Sequence, residues 1–178
     1  MSSIDILTKT GSRSALSAEL DRALRSARSE APGFALVLAD VTNFKRFNTH
    51  NPAALGDIVL IRLAECLKAV MGTRGRVYRV HGGMFGVILR GAGEAEAIAI
   101  CTEILRATHN RITPPQAVHC GHHLCSGPVT VGVACGFALA SPEHNTETLM
   151  READMNLYEA KTAATERTAM PQASRPAE

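Results

Sequence analysis

The stretch Arg76-Val77-Tyr78-Arg79-Val80-His81-Gly82-Gly83-Met84-Phe85-Gly86-Val87-Ile88-Leu89 decides the fold. Its ends, residues 76–80 and 85–89, are short runs rich in β-branched and aromatic side chains. The connection His81-Gly82-Gly83-Met84 carries the glycines that a tight reversal needs, so the whole reads as a β-hairpin. Upstream, Phe34-Ala35-Leu36-Val37-Leu38-Ala39 is continuously apolar and follows Pro32-Gly33. Such a run fits a central buried strand, with Asp40 at its C-terminal end.

Helical spacing fills the rest. Residues 13–30 carry Leu16, Leu20, Ala23 and Leu24 on one stripe, and residues 53–71 carry Leu60, Leu63, Leu67 and Val70. A short helix over 43–49 stands between strand and helix, stopped by Pro52. Residues 93–109 are expected to turn Ile98, Cys101 and Leu105 inward. Residues 146–163 turn in Leu149, Ala153, Leu157 and Ala160, with Asn145 or Thr146 as cap. Residues 118–120 and 129–139 read as two further strands. The order α-β-α-α-β-β-α-β-β-α predicts an α/β (α+β) domain. Its plan is a ferredoxin-like or nucleotide-cyclase palm, with a mostly antiparallel central sheet flanked by helices on one face. The domain covers residues 1–164; residues 165–178, with two prolines, are expected to be an unstructured tail.

Composition narrows the function classes. The 178 residues are 46% hydrophobic and 20% charged, which is globular rather than disordered. A formal charge of +2, no Trp and 4% aromatic residues argue against nucleic acid as a partner, and the charge argues against a membrane surface too. No export signal or membrane span is readable, so a cytoplasmic location is expected, with the five cysteines as reduced thiols.

Several segments, taken in order, resemble the GGDEF family over residues 5–162. The family's opening Asp-x-Leu-Thr-Gly-Leu-x-Asn-Arg is matched by Asp5, Leu7, Thr8 and Arg13, while Lys9, Thr10 and Ser12 depart. Its Asp-x-Asp-x-Phe-Lys-x-x-Asn-Asp is similar to the run from Asp40 through Asn43, Phe44, Lys45 and Asn48 to Thr49, followed by Gly56-Asp57. Thr130-Val131-Gly132-Val133-Ala134 resembles its Ser-Ile-Gly-Val-Ala strand. Asp154 and Leu157-Tyr158-Glu159-Ala160-Lys161 resemble its last helix, without the usual Gly-Arg-Asn after it. The hairpin departs most: anchored on Arg79 and Phe85, the signature reads His81-Gly82-Gly83-Met84-Phe85.

The resemblance implies diguanylate cyclase chemistry, in which a ribose 3′-hydroxyl attacks an α-phosphate of a second GTP. That step needs a divalent metal with oxygen ligands. In the family these come from the first-strand carboxylate, Asp40 here, and from the acidic third residue of the signature, here Gly83. Met84 supplies only a thioether, and His81 crowds a place where backbone passes close to phosphate. The expectation is therefore no cyclase activity. By the same resemblance Asn48 and Asp57 would recognise guanine, Lys45 and Lys161 would contact phosphates, and Asp40 could hold Mg²⁺ with GTP. The plainer reading is that Asp57 starts a helix, Asn48 caps a turn and the lysines are solvated. The family's inhibitory Arg-x-x-Asp falls on Gly72 and Gly75, so that site is also missing.

A second constellation is His119, Cys120, His122, His123 and Cys125. These types bind zinc, but the spacing is not that of a finger; a surface turn with small apolar cysteines is the alternative. Three functions are carried forward. The first is a regulatory module docking on a cyclase, a phosphodiesterase, another signalling protein or a second copy. The second is a GTP sensor without turnover, and the third a residual or altered cyclase.

Overall fold

The computed structural model describes residues 3–29, 33–114 and 131–169. The chain runs α1 (Arg13–Ser29), β1 (Phe34–Thr42), α2 (Phe44–His50), α3 (Ala53–Met71), β2 (Val77–His81), β3 (Met84–Arg90), α4 (Glu94–Thr108), β4 (Gly132–Leu139) and α5 (Thr146–Ala169). The sheet has the order β2-β3-β1-β4. All three pairings are antiparallel, with β1 hydrogen-bonded on both edges.

Helices cover both faces of this sheet, not one. The cause lies in β1, which has no polar face to leave in water. Ala35, Val37, Ala39 and Val41 pack with Phe47 of α2, Leu63 and Leu67 of α3, and Ile100 and Ile104 of α4. Leu36 and Leu38 pack on the other side with Leu16 and Leu20 of α1 and Leu149 and Leu157 of α5. A strand apolar on both faces from Phe34 to Ala39 needs a layer on each side.

The inward face of α4 differs from expectation by one position. Ala97, Ile100, Ile104 and Thr108 are buried, whereas Ile98 is 50% and Leu105 42% exposed. Apolar residues occur at both phases of the helix, so periodicity alone did not choose between them. The helix start helps to set the phase: Gly93 N–H donates to Glu96 Oε2 at 3.1 Å. At the other end Thr108 Oγ1 donates to the Ile104 carbonyl at 2.8 Å, so a hydroxyl closes the buried stripe.

α5 opens on a reciprocal cap. Asn145 Oδ1 accepts from Thr148 N–H, and Asn145 N–H donates to Thr148 Oγ1, each at 2.9 Å. The helix then lies close on β4, where a Cβ on Gly136 would come within 2.2 Å of Leu157 N. Asn156 Nδ2 donates to the Phe137 carbonyl at 2.8 Å. α5 continues to Ala169, past the expected boundary at residue 164. Nothing in Ala163-Ala164-Thr165-Glu166-Arg167 breaks a helix, and the first proline is Pro171. β4 runs Gly132–Leu139, and residues 129–130 of the expected strand lie outside the described residues. The expected strand over 118–120 and the His119–Cys125 cluster lie outside the described residues.

Candidate functional site

The site is assembled at the C-terminal end of β1. Asp40 is paired with Met84 across β3 and with Ala134 across β4. Opposite it, His81 pairs with Met84, so the hairpin closes on two residues, Gly82 and Gly83, rather than four. Gly82 has φ 49°, a conformation glycine adopts without strain. The register shifts between Arg79 and His81, a bulge that re-aims the end of β2. Val41 N–H donates to the Gly83 carbonyl at 3.2 Å, docking the turn on β1.

This docking defines what a side chain at position 83 would face. A Cβ there would lie 3.2 Å from Asp40 Oδ1 and 3.0 Å from Val41 Cβ. The structure thus brings Gly83 against the Asp40 carboxylate. Met84 is 7% exposed and packs with Leu38, Val80 and the α1/α5 layer, on the same sheet face as Asp40, its cross-strand partner. His81 is exposed. The Asp40 carboxylate has a partner of its own: Lys161 Nζ, from α5, donates to Asp40 Oδ2 as an ion pair.

The second half of the site follows directly along the chain. β1 ends at Thr42, whose Oγ1 accepts from Gly132 N–H at 3.1 Å. Asn43 then takes a left-handed conformation, φ 60°, which asparagine tolerates better than most residues. That turn starts α2, which anchors through the fully buried Phe47 and leaves Lys45 and Asn48 exposed. Asn48 meets the first turn of α3: a Cβ on Gly56 would lie 2.3 Å from Asn48 Oδ1. The glycine before Asp57 therefore lets α2 and α3 approach, and Asn48 stands beside the exposed Asp57. Asp40 with Lys161 and Asn48 with Asp57 are two neighbourhoods, joined by the turn at Asn43.

Sequence reasoning used Asp5, Thr8 and Arg79 only as anchors and missed their joint role. Arg79 Nη1 lies 3.4 Å from Asp5 Oδ2, and Nη2 donates to the Gly82 carbonyl at 3.1 Å. Asp5 Oδ1 accepts from Thr8 N–H at 2.8 Å and from Thr8 Oγ1 at 2.7 Å. Partial burial pushes the Asp5 carboxyl up, but the Thr8 bonds and the Arg79 guanidinium together hold it below its ordinary value. The Asp-x-x-Thr spacing, a familiar side-chain turn, was the available signal. Its effect is to tie the N-terminal segment to the signature turn.

A side chain is disfavoured at both positions of the inhibitory pair, at 72 by backbone conformation and at 75 by a close carbonyl. Gly72 ends α3 with φ 50°, and a Cβ on Gly75 would lie 2.7 Å from the Ile88 carbonyl. Arg74 between them is engaged with Glu103 at 2.6 Å. Cys101 of α4 and Cys135 of β4 pack on the same layer and share a hydrogen bond. That bond favours the Cys101 thiolate, whereas donating it and being buried push the Cys135 thiol up.

Residues 2–167 match the family model described as "Diguanylate cyclase, GGDEF domain". The diguanylate cyclase DgcS of Shewanella oneidensis is 29% identical over 161 residues, covering 89% of this chain and 49% of that protein. The chain spans about half the length of the curated relatives it matches. The GGDEF domain of DgcB from Caulobacter crescentus, solved with c-di-GMP, superposes with a TM-score of 0.78 at 24% identity, covering 92% of each chain. SiaD of Pseudomonas aeruginosa, a diguanylate cyclase solved with its activator SiaC, gives 0.76 at 20% identity over 91% of this chain and 59% of that one.

Proposed function

The chain belongs to the GGDEF domain family, and on that premise we propose that it is a catalytically inactive member acting as a regulatory protein-interaction module in cyclic di-GMP signalling. The observation that carries this reading is Gly83, whose missing side chain would point at Asp40. Phosphoryl transfer between two nucleotides needs metal-borne charge compensation at the reacting phosphate. One carboxylate, already held by an ammonium, is a poor donor set for a hard divalent cation. Losing a metal ligand and its charge together costs several factors of ten in rate, each about 1.4 kcal/mol of barrier.

A domain without turnover acts by contact. The partner class is an active cyclase, a phosphodiesterase or another signalling protein, with a second copy of this chain as a further candidate. SiaD is held by an activator protein, which supports regulation of this fold by a protein partner. No helix among the described residues is long and apolar enough to cross a membrane, and the reading places the protein in the cytoplasm. The test measures cyclic di-GMP in the presence of this protein alone, with an active cyclase, and with a phosphodiesterase. The reading expects no product from the protein alone and a saturable change in one partner's rate. Product from the protein alone would overturn it.

A second reading, a guanine-nucleotide sensor without turnover, is favoured by the juxtaposition of Asn48 with Gly56-Asp57. Two hydrogen-bonding side chains side by side on an exposed surface suit a base edge. A thermal melt with Mg²⁺ and a non-hydrolysable GTP analogue tests it. Ligand at a hundred times its Kd adds about 2.7 kcal/mol of stability, and Asn48→Ala should remove that shift.

A further inference from the structure

We infer that the Lys161 ammonium is the resident cation of this site, standing at Asp40 where the family would place a divalent metal. The site is therefore metal-independent. This rests on the reading of the chain as an inactive member and deepens it.

The donor set was tested against a metal first. A hard cation wants several oxygens converging at short range. Here Asp40 is the acidic side chain of the pair, position 83 has no side chain at all, and Met84, beside Asp40 across β3, offers only a buried thioether, a soft donor. Among the described residues no group of three His, Cys, Asp or Glu side chains gathers as a ligand cluster. The residues present do not fit the metal.

They do fit an ammonium. Lys161 reaches Asp40 Oδ2 from α5, and the two side chains are 33% and 19% exposed, so the pair is sheltered without being sealed. The helix that carries the lysine is fixed close by. Leu157, one turn earlier, is buried against β4, and Asn156 is bonded to the Phe137 carbonyl. The lysine backbone is thereby held at a height from which its flexible stem reaches Asp40. The charge at the site is balanced within the fold: one carboxylate faces one ammonium. A divalent cation entering there would have to expel the ammonium or sit beside it, at a repulsion that a single carboxylate cannot offset.

The test uses Mn²⁺ alone as probe and reads paramagnetic broadening of the backbone amide signals of Ala39, Asp40, Val41 and Gly83. Wild-type protein in millimolar Mn²⁺ should show no selective broadening at these four amides. Lys161→Met should broaden them, with apparent Mn²⁺ affinity higher by at least about tenfold. Adding Asp40→Asn to that variant should abolish the effect. Lys161→Arg should behave as wild type, and a melt of each variant verifies that it is folded. Broadening of wild type as strong as that of Lys161→Met would overturn the inference, and so would a Lys161→Met variant that gains none. Metal bound by wild type without cyclase turnover would defeat this inference and leave the inactive-member reading standing. Turnover with metal would defeat both.

Discussion

Gly83 matters because of what surrounds it. Its Cβ direction is filled by Val41 at 3.0 Å and Asp40 at 3.2 Å, and Val41 is itself 4% exposed in the core. Gly83→Ala is expected to cost about 1–3 kcal/mol by overpacking. Part of that cost should disappear in the Val41→Ala background, a coupling that urea denaturation of the single and double variants would read. Asp5 carries a different prediction. Its carboxyl is held low in the fold by Thr8 and Arg79 against the upward push of burial. The stability it contributes is present above its unfolded pKa, about 4, and is lost as pH falls through the lower folded value. Asp5→Asn should therefore destabilise the protein more at pH 7 than at pH 3, as thermal melts at both values would show. No spacing rule revealed that Arg79 reaches back over more than seventy residues to Asp5, because long-range pairing leaves no local trace in the chain.

At the scale of elements, β1 could be read from the sequence as a continuous apolar run, and α1, α3 and α5 from leucines at helical spacing. α4 could not, since Ile98 and Leu105 compete with Ile100 and Ile104 for the inward face. The outcome is measurable. Ile104 is fully buried and Leu105 is 42% exposed, so Ile104→Ala should cost about 2–5 kcal/mol and Leu105→Ala within about 0.5 kcal/mol. Equal losses would mean that the helix is rotated. The contact between α4 and β4 carries another test. The Cys101 thiolate is favoured by the hydrogen bond from Cys135, whose own thiol is pushed up by making that bond and by burial. Iodoacetamide should label Cys101 before Cys135, as peptide mapping over time would resolve. The hairpin was read as a reversal, but its contraction to two residues was not, since His81 and Met84 have no turn-forming or turn-breaking character. That contraction sets Gly83, rather than a longer loop, against Asp40.

At the scale of the whole molecule, the described residues form a four-stranded antiparallel sheet with helices on both faces, which delivers one functional corner. There the end of β1, the hairpin turn and the last helix meet. The members of that corner were visible in the sequence as separate pieces of a family pattern. What was not visible is that Lys161 crosses from α5 to Asp40, because a solvated lysine and an ion-paired one read alike. The fold is that of the GGDEF family, and at this corner Asp40 is paired with Lys161 while position 83 carries no side chain. The most direct test incubates the purified protein with GTP and Mg²⁺ or Mn²⁺ and follows cyclic di-GMP by mass-detected chromatography. No product above the protein-free control is predicted with either metal. Steady multiple-turnover synthesis, abolished by Asp40→Asn, would contradict the account.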